Sequence, residues 1–311
     1  MTSANLKLNN GKTIPALGLG TWRSGPGEVE KAVEHALTVA GYRHVDAAFA
    51  YGNEGEVGTG IANAIKTGKV TRDDIFVTTK VITTYWNKVA EGYKESLEKL
   101  GLEKVDLLLM HWPVGLNPKG NHPTVPLKPD GTRDHDPDFD VIKSWRQYEQ
   151  LYKDGKVGSI GVCNCSVPML TRLLAEAEIP PAINQIESHP LLPQDDVTAF
   201  CKEKGIIVEA YSPFGSIGGP VLQSPTVLEL AKKYNVTPSV ILVSFHISEG
   251  RVVLPKSVTL SRIEANAKVV DLSEEDLHKL DTLHKTEGLT RFCAPPWGID
   301  LGFPDWMPAL K

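Results

Sequence analysis

Four side chains early in the chain have the types and spacing to move a proton: Asp46, Tyr51, Lys80 and His111. Val45, Ala47 and Phe49 alternate with His44, Asp46 and Ala48, which predicts a short strand carrying Asp46. The chain then breaks at Tyr51-Gly52 and enters a helix near Asn53, a good N-cap residue, with Glu54 and Glu56 in its first turn. A carboxylate in a buried strand is expensive unless a cation meets it. Lys80, at the end of the next strand, is that cation, and His111 closes the strand after it. A phenol has a reference pKa of about 10, and a nearby ammonium should lower it. Asp46 would hold Lys80 charged, and a neutral His111 could orient a carbonyl oxygen through a hydrogen bond. Tyr51 is then the general acid of a reduction and the base of the reverse oxidation.

The elements that must position these groups alternate along the chain. Asn9-Asn10-Gly11, between Leu6-Lys7-Leu8 and Thr13-Ile14, predicts a small N-terminal hairpin suited to capping one end of a barrel. Strands are expected at 16–21, 44–49, 74–80, 105–112, 157–162, 182–187, 206–210 and 252–255. Helices are expected at 28–40, from Asn53 to 66, and at 88–100, 140–153, 167–177, 195–203, 226–234, 239–248 and 262–269. Ser273-Glu274-Glu275-Asp276 reads as a capping box opening one more helix to about His284. Long loops cover 113–139 and 212–223, and a Pro- and Trp-rich tail runs over 286–311. Eight strand–helix units without a linker predict an α/β chain folded as a single (β/α)8 TIM barrel domain over 1–311. A doubly wound sheet would want a dinucleotide fingerprint after its first strand, and Gly18-Leu19-Gly20-Thr21-Trp22-Arg23 lacks the third glycine. In such a barrel, function sits at the C-terminal ends of the strands, where all four residues fall.

Composition narrows the classes. The 311 residues are 41% hydrophobic and 23% charged, with a net charge of −5. That gives no basic footprint for nucleic acid or anionic lipid, and no apolar run could span a bilayer. The start has neither a basic n-region nor an apolar h-region, and four cysteines lack a framework spacing. The chain reads as cytosolic, reduced and by default monomeric. Cys163 and Cys165 read as two small side chains on one strand face rather than part of a metal site.

The chain resembles the aldo-keto reductases, in particular fungal-type reductases of aldoses, glyceraldehyde and uronic acids. The likeness rests on Gly41-Tyr42-Arg43-His44-Val45-Asp46-Ala47-Ala48 with Tyr51-Gly52-Asn53-Glu54, on Lys80, and on Leu109-Met110-His111-Trp112-Pro113. It continues, in order, through Gly161-Val162-Cys163-Asn164, 184–190, Ala210-Tyr211-Ser212-Pro213 and 254–259. The resemblance implies NADPH or NADP+ lying across the barrel mouth, with NADH weaker. It implies that Tyr211 stacks on the nicotinamide, Asn164 and Gln185 bond its carboxamide, and Asp46 approaches its ribose, beside Thr21 and Trp22. Ser212, Phe214 and Ser216 would line the pyrophosphate. Lys256, Ser257, Val258, Thr259 and Arg262 would surround the 2′-phosphate, a role their cations and hydroxyls suit, and Asn266 the adenine. Trp22, Tyr51, His111, Trp112 and the tail would wall the substrate pocket. Two positions depart from the pattern. Cys163 replaces a serine, a better hydrogen-bonder, and Ala265 replaces a glutamate expected to meet the adenine amine.

The expected activity is reduction of a small aldehyde, aldose or uronic acid to an alcohol. One rival is a Schiff-base aldolase using Lys80, which requires a depressed lysine pKa. A second is a non-catalytic NADP(H)-binding interaction subunit. For a carboxylated substrate, the candidate cations are Lys119, His122, Lys128 and Arg133 in the first loop and Arg291 in the tail.

Overall fold

The computed structural model describes residues 4–306, so the expected tail beyond Trp306 and the first three residues lie outside the described part. A hairpin comes first, β1 (Asn5–Lys7) against β2 (Thr13–Pro15). Its turn places only Gly11 at positive φ (84°), with Leu8 N donating to Lys12 O. Asn9 and Asn10 then reach across to Pro181 O (2.9 Å) and Ser159 Oγ (2.9 Å), at the N-terminal ends of two barrel strands. Leu8 and Ile14 pack beneath Leu107, Ile183 and Val252, so the hairpin plugs the bottom of the barrel.

The barrel strands are β3 (Leu19–Gly20), β4 (His44–Asp46), β5 (Phe76–Val81), β6 (Leu107–Met110), β7 (Ser159–Cys163), β8 (Ile183–Glu187), β9 (Ile207–Tyr211) and β10 (Val252–Leu254). They form one parallel sheet in chain order, and backbone bonds from Gly18 to Val253 and from Gly20 to Pro255 join its two edges. Closure is tight: a Cβ on Gly18 would stand 2.6 Å from Leu254 and 2.7 Å from His44. Only glycine lets β3 lie that close.

Around the sheet run α1 (Glu28–Thr38), α2 (Glu54–Lys66), α3 (Val89–Leu100), α4 (Val141–Lys153), α5 (Val167–Glu176), α6 (Asp195–Glu203), α7 (Pro225–Tyr234), α8 (Pro238–Ser248), α9 (Leu260–Asn266), α10 (Glu274–Asp281) and α11 (Leu283–Glu287). The α/β barrel expected from the alternation is the observed fold. Four local expectations are corrected. β5 starts at Phe76 rather than Asp74, because the Asp74 carboxylate accepts from Thr71 N (2.8 Å) and Oγ1 (2.7 Å) and holds a turn. α9 spans Leu260–Asn266 instead of 262–269, with Thr259 O already accepting from Arg262 and Ile263. The capping box at Ser273 is only half made: Tyr234 Oη, not Asp276, accepts from Ser273 N (2.9 Å). The last helix breaks at Thr282, whose hydroxyl donates back to His278 O (2.7 Å), then resumes to Glu287.

Helix packing around the opening motif leaves no slack. A Cβ on Gly58, in the middle of α2, would lie 2.2 Å from Leu100 O at the end of α3. Backbone cannot rotate away as a side chain does, so the two helices would have to part. Gly58→Ala should therefore cost about 1–3 kcal/mol and lower the thermal midpoint by several degrees. An unchanged melting curve would show that the contact is not as tight as drawn.

Candidate active site

Asp46 ends β4 in register with Thr78 of β5, and Lys80, two residues further on, points to the same side and reaches back to it. Lys80 is fully buried, and its three donors are all spent. Nζ donates to both Asp46 oxygens (2.7 Å each), to Ala47 O (3.0 Å) and to Tyr51 Oη (3.0 Å). An ammonium cannot accept, so the Tyr51 oxygen accepts and keeps its own proton free. Tyr51 sits on a short turn, Phe49–Tyr51, ended by Gly52 at φ 70°. The start of α2 is tied down behind it, since the buried Glu54 carboxylate accepts from Thr79 Oγ1 (2.6 Å) and Ser96 Oγ (3.2 Å). Asn53 does not cap that helix with its side chain, as expected; Nδ2 instead donates to Thr21 O (2.9 Å), binding the loop after β3 to α2.

Electrostatics follow from burial. Burial alone would lower the Lys80 pKa, but Asp46 and then Tyr51 outweigh it and raise it above the ordinary lysine value. The depressed lysine that a Schiff-base mechanism needs is absent, which removes the aldolase reading. Tyr51 corrects another expectation: burial raises its pKa, and the lowering by Lys80 does not overcome it. The phenol is therefore fully protonated at neutral pH, the form an acid requires. His111 lies just past β6, edge-on to the Tyr51 ring with centroids 5.8 Å apart. Burial, then the Lys80 charge, lower its pKa to about 3, so the imidazole is neutral.

A cavity of about 950 Å³ opens over these groups at the C-terminal ends of the strands. Of the sequence-predicted residues, Asp46, Tyr51, His111, Thr21, Trp22, Trp112, Asn164, Gln185, Tyr211, Ser212, Phe214, Ser216, Lys256 and Arg262 line it. Lys80, buried beneath the cavity floor residues Asp46 and Tyr51 that it bonds, does not, and neither do Ser257, Val258, Thr259 and Asn266. Val258 packs on the core, Thr259 caps α9, and Asn266 is buried with Oδ1 unpartnered. Thr21 spends its hydroxyl on Asp46 O (2.8 Å). Asn164 donates to His111 O (3.1 Å) and accepts from Tyr211 Oη (2.8 Å). Asn164, Ser212, Ser216 and Arg23 all hold positive φ and all line the cavity. Such backbone strain in non-glycine residues collects at functional sites. The turn at Asn164 (φ 58°) also corrects the expectation for the cysteines: Cys163 points into the barrel, Cys165 into the outer core.

Two further acids shape the site, Glu209, which no motif marks, and Glu187, a strand-end residue with no role assigned from sequence. Glu209 stands in register with Gln185 inside the barrel, and Gln185 Nε2 donates to Glu209 Oε2 (2.6 Å) and Asp46 Oδ1 (3.0 Å). Burial, then the Asp46 charge, raise Glu209 to about 8. Like Asp46, it is an acid in an apolar strand and so requires a partner, a signal present in the sequence. Glu187, at the end of β8, accepts from Phe292 N (2.7 Å) and Cys293 N (2.8 Å) and so fastens the tail beside the cavity.

A profile of the Aldo/keto reductase family matches residues 16–285. The chain belongs to that family. It is an enzyme, an oxidoreductase acting on small carbonyl compounds with a nicotinamide cofactor. It is 50% identical over 310 residues to a D-galacturonate reductase of Hypocrea jecorina, covering 98% of this chain and 99% of that one. It is 46% identical to a glycerol 2-dehydrogenase (NADP(+)) of Saccharomyces cerevisiae, covering 94% of each. The solved aldose reductase of Schistosoma japonicum superposes with a TM-score of 0.85 at 37% identity, covering 93% of this chain and 98% of that one. Similarity over almost the whole chain to relatives named for their activities, with Asp46, Tyr51, Lys80 and His111 all present, sets aside the non-catalytic reading.

The buried histidines should make the reductase less stable in acid. His44 and His111 both have pKa values lowered to about 3 in the fold, against 6.5 unfolded. A depressed base gives stability that is present above about pH 6.5 and lost as pH falls toward 3, at up to about 1.4 kcal/mol per pH unit for each. Denaturant titrations between pH 7 and 5 should show this loss, and His111→Asn should remove its share of the slope. Parallel curves for wild type and variant would mean His111 is not buried neutral.

Proposed function

We propose that the enzyme reduces the carbonyl of a small aldehyde, aldose or uronic acid to the alcohol, with NADPH as preferred reductant. One observation carries the chemistry: the Tyr51 oxygen accepts from Lys80 and so has only its proton to offer the cavity. The bound cofactor supplies the hydride. Tyr51 gives its proton to the carbonyl oxygen, and the Lys80 ammonium stabilises the phenolate left behind. Asp46 keeps Lys80 charged and in place. Neutral His111 orients the carbonyl oxygen, and Trp22 and Trp112 exclude water around it.

The cavity suits the cofactor as well as the substrate. Its volume is near the upper end for ligand sites, roughly 1,000 Å³, and one side of its mouth carries Lys256 and Arg262. Gln185 spends its amide donors on Asp46 and Glu209, so its oxygen is left for the nicotinamide carboxamide, with Asn164 beside it and the Tyr211 ring beneath. Ser212, Phe214 and Ser216 line the path between the nicotinamide end and the cations. The named activities of the Hypocrea and Saccharomyces relatives, on galacturonate and with NADP(+), support the substrate range and cofactor. A cytosolic monomer belongs to the same proposal, in keeping with four unpaired cysteines.

Tyr51→Phe should keep NADPH binding and lose carbonyl reduction by roughly 10²- to 10⁴-fold. Retention of more than about a third of wild-type turnover, with hydride transfer rate-limiting, would exclude Tyr51 as the acid. Arg262 forms no ion pair among the described residues; the acid on its own helix, Glu264, instead meets His35 (2.8 Å). Its charge is available to a 2′-phosphate. Arg262→Ala should weaken NADPH roughly ten- to a hundredfold and leave NADH nearly unchanged. Fluorescence titration of both cofactors checks it, and equal weakening would mean that Arg262 does not read the phosphate.

A further inference from the structure

Arg133 is a cation at the cavity that no carboxylate answers among the described residues. It lies in the long loop between β6 and α4 and lines the cavity with Trp112, Val125 and Trp297. Its guanidinium carbon sits 5.5 Å from the centre of the Trp297 ring. The loop is folded rather than loose at this point. Leu127 bridges Arg133, Lys128 N donates to Thr132 O (2.8 Å), and Asp134 N donates to Pro126 O (3.0 Å).

The acids beside it in sequence are engaged elsewhere. Asp134 accepts from Asn117 Nδ2 (2.8 Å) and Asp136 from Trp86 Nε1 (3.0 Å). Among the described residues no carboxylate pairs with Arg133, whereas Arg291, the candidate cation of the tail, has one. Its Nε is buried and lacks any hydrogen-bond partner. Such a group is costly to leave unmatched, and the planar guanidinium fork fits a carboxylate. The cations at the cofactor end follow β10. In a closed ring of eight, β10 lies four strands from β6 in either direction. Arg133 thus belongs to the loop of a strand across the barrel from β10, and it shares the cavity with Tyr51 and His111.

We propose that Arg133 is the specificity-determining residue that binds the carboxylate of an aldehyde acid, directing the enzyme toward open-chain hexuronates. This rests on the reading of the cavity as a carbonyl reductase site. An open-chain hexuronate carries its aldehyde at one end and its carboxylate at the other. One molecule therefore meets Tyr51 and His111 with the first and Arg133 with the second. A neutral aldose fills the same space and leaves the guanidinium unmatched.

The test compares galacturonate with galactose, and glyceraldehyde as a short neutral aldehyde, in wild type, Arg133→Met and Arg133→Lys. Wild type should prefer galacturonate to galactose at least tenfold in kcat/KM. Arg133→Met should lower kcat/KM for galacturonate ten- to a hundredfold, mainly through KM, and change glyceraldehyde by less than about threefold. Arg133→Lys should recover part of the loss, since it restores charge without the fork. NADPH titration with an unchanged dissociation constant establishes that the variants are folded. Equal losses for acid and neutral substrates, or no loss for galacturonate, would overturn the role of Arg133 while leaving the reductase reading intact. A wild type that reduces none of the three with NADPH would overturn both.

Discussion

The buried ammonium of Lys80 is the constraint on which the site depends. A charge with no exposure to water has to be matched by acceptors, and breaking such a pair costs about 3–5 kcal/mol. Lys80 finds its acceptors in Asp46, Ala47 O and Tyr51 Oη. Each comes from β4 or the turn after it, so satisfying one cation fixes the end of β4, the turn at Tyr51 and the start of α2 together. The same bonds decide which way the Tyr51 proton points. Stability and the proposed proton delivery thus share one arrangement.

That arrangement needs a barrel closed at the bottom and polar in its upper layers. The hairpin shuts the lower end with Leu8 and Ile14, which keeps water from reaching the pair from below. Above them, Gln185 joins Asp46 to Glu209, while His44 meets Thr78 Oγ1 (2.9 Å). Gln185 is the link that matters for orientation. With acids on both sides of its amide nitrogen, only one flip state is satisfied, and in it the acids leave the oxygen of this cavity-lining residue unengaged.

The barrel was legible because its signals are periodic and repeated: alternating apolar strands, amphipathic helices and no fingerprint for the competing fold. The convergence of Asp46, Tyr51, Lys80 and His111 was legible because a carboxylate in an apolar strand demands a cation, and strand order says where to look. Glu209 raised the same demand but lay inside its strand, away from the end positions that drew attention. The direction of the Tyr51 pKa shift was not legible, because sequence shows the neighbouring charge but not the enclosure of the ring, and desolvation is the larger effect. Asn53 has the right chemistry for a cap, yet a tertiary acceptor, Thr21 O, competes for its side chain. No local pattern could have shown that bond, because the two residues meet only when the barrel closes.

Loops posed a different problem, since five basic residues looked equivalent in sequence. Geometry separates them. Lys119, His122 and Lys128 do not line the cavity. Arg291 is the nearest competitor, but two bonds to Asp305 (2.6 and 2.9 Å) hold it, and it stacks on Phe303 and Trp306. Its charge is spent on the tail. Ser166 Oγ donates to Leu301 O (2.6 Å) and His135 meets Trp297 O (2.6 Å), so the same tail is bound to the barrel at three further points, counting Glu187. These anchors bring Trp297 against Trp112, with ring centroids 5.3 Å apart, and under Arg133. The neutralised arginine builds the wall, and the unneutralised one is left facing the substrate space.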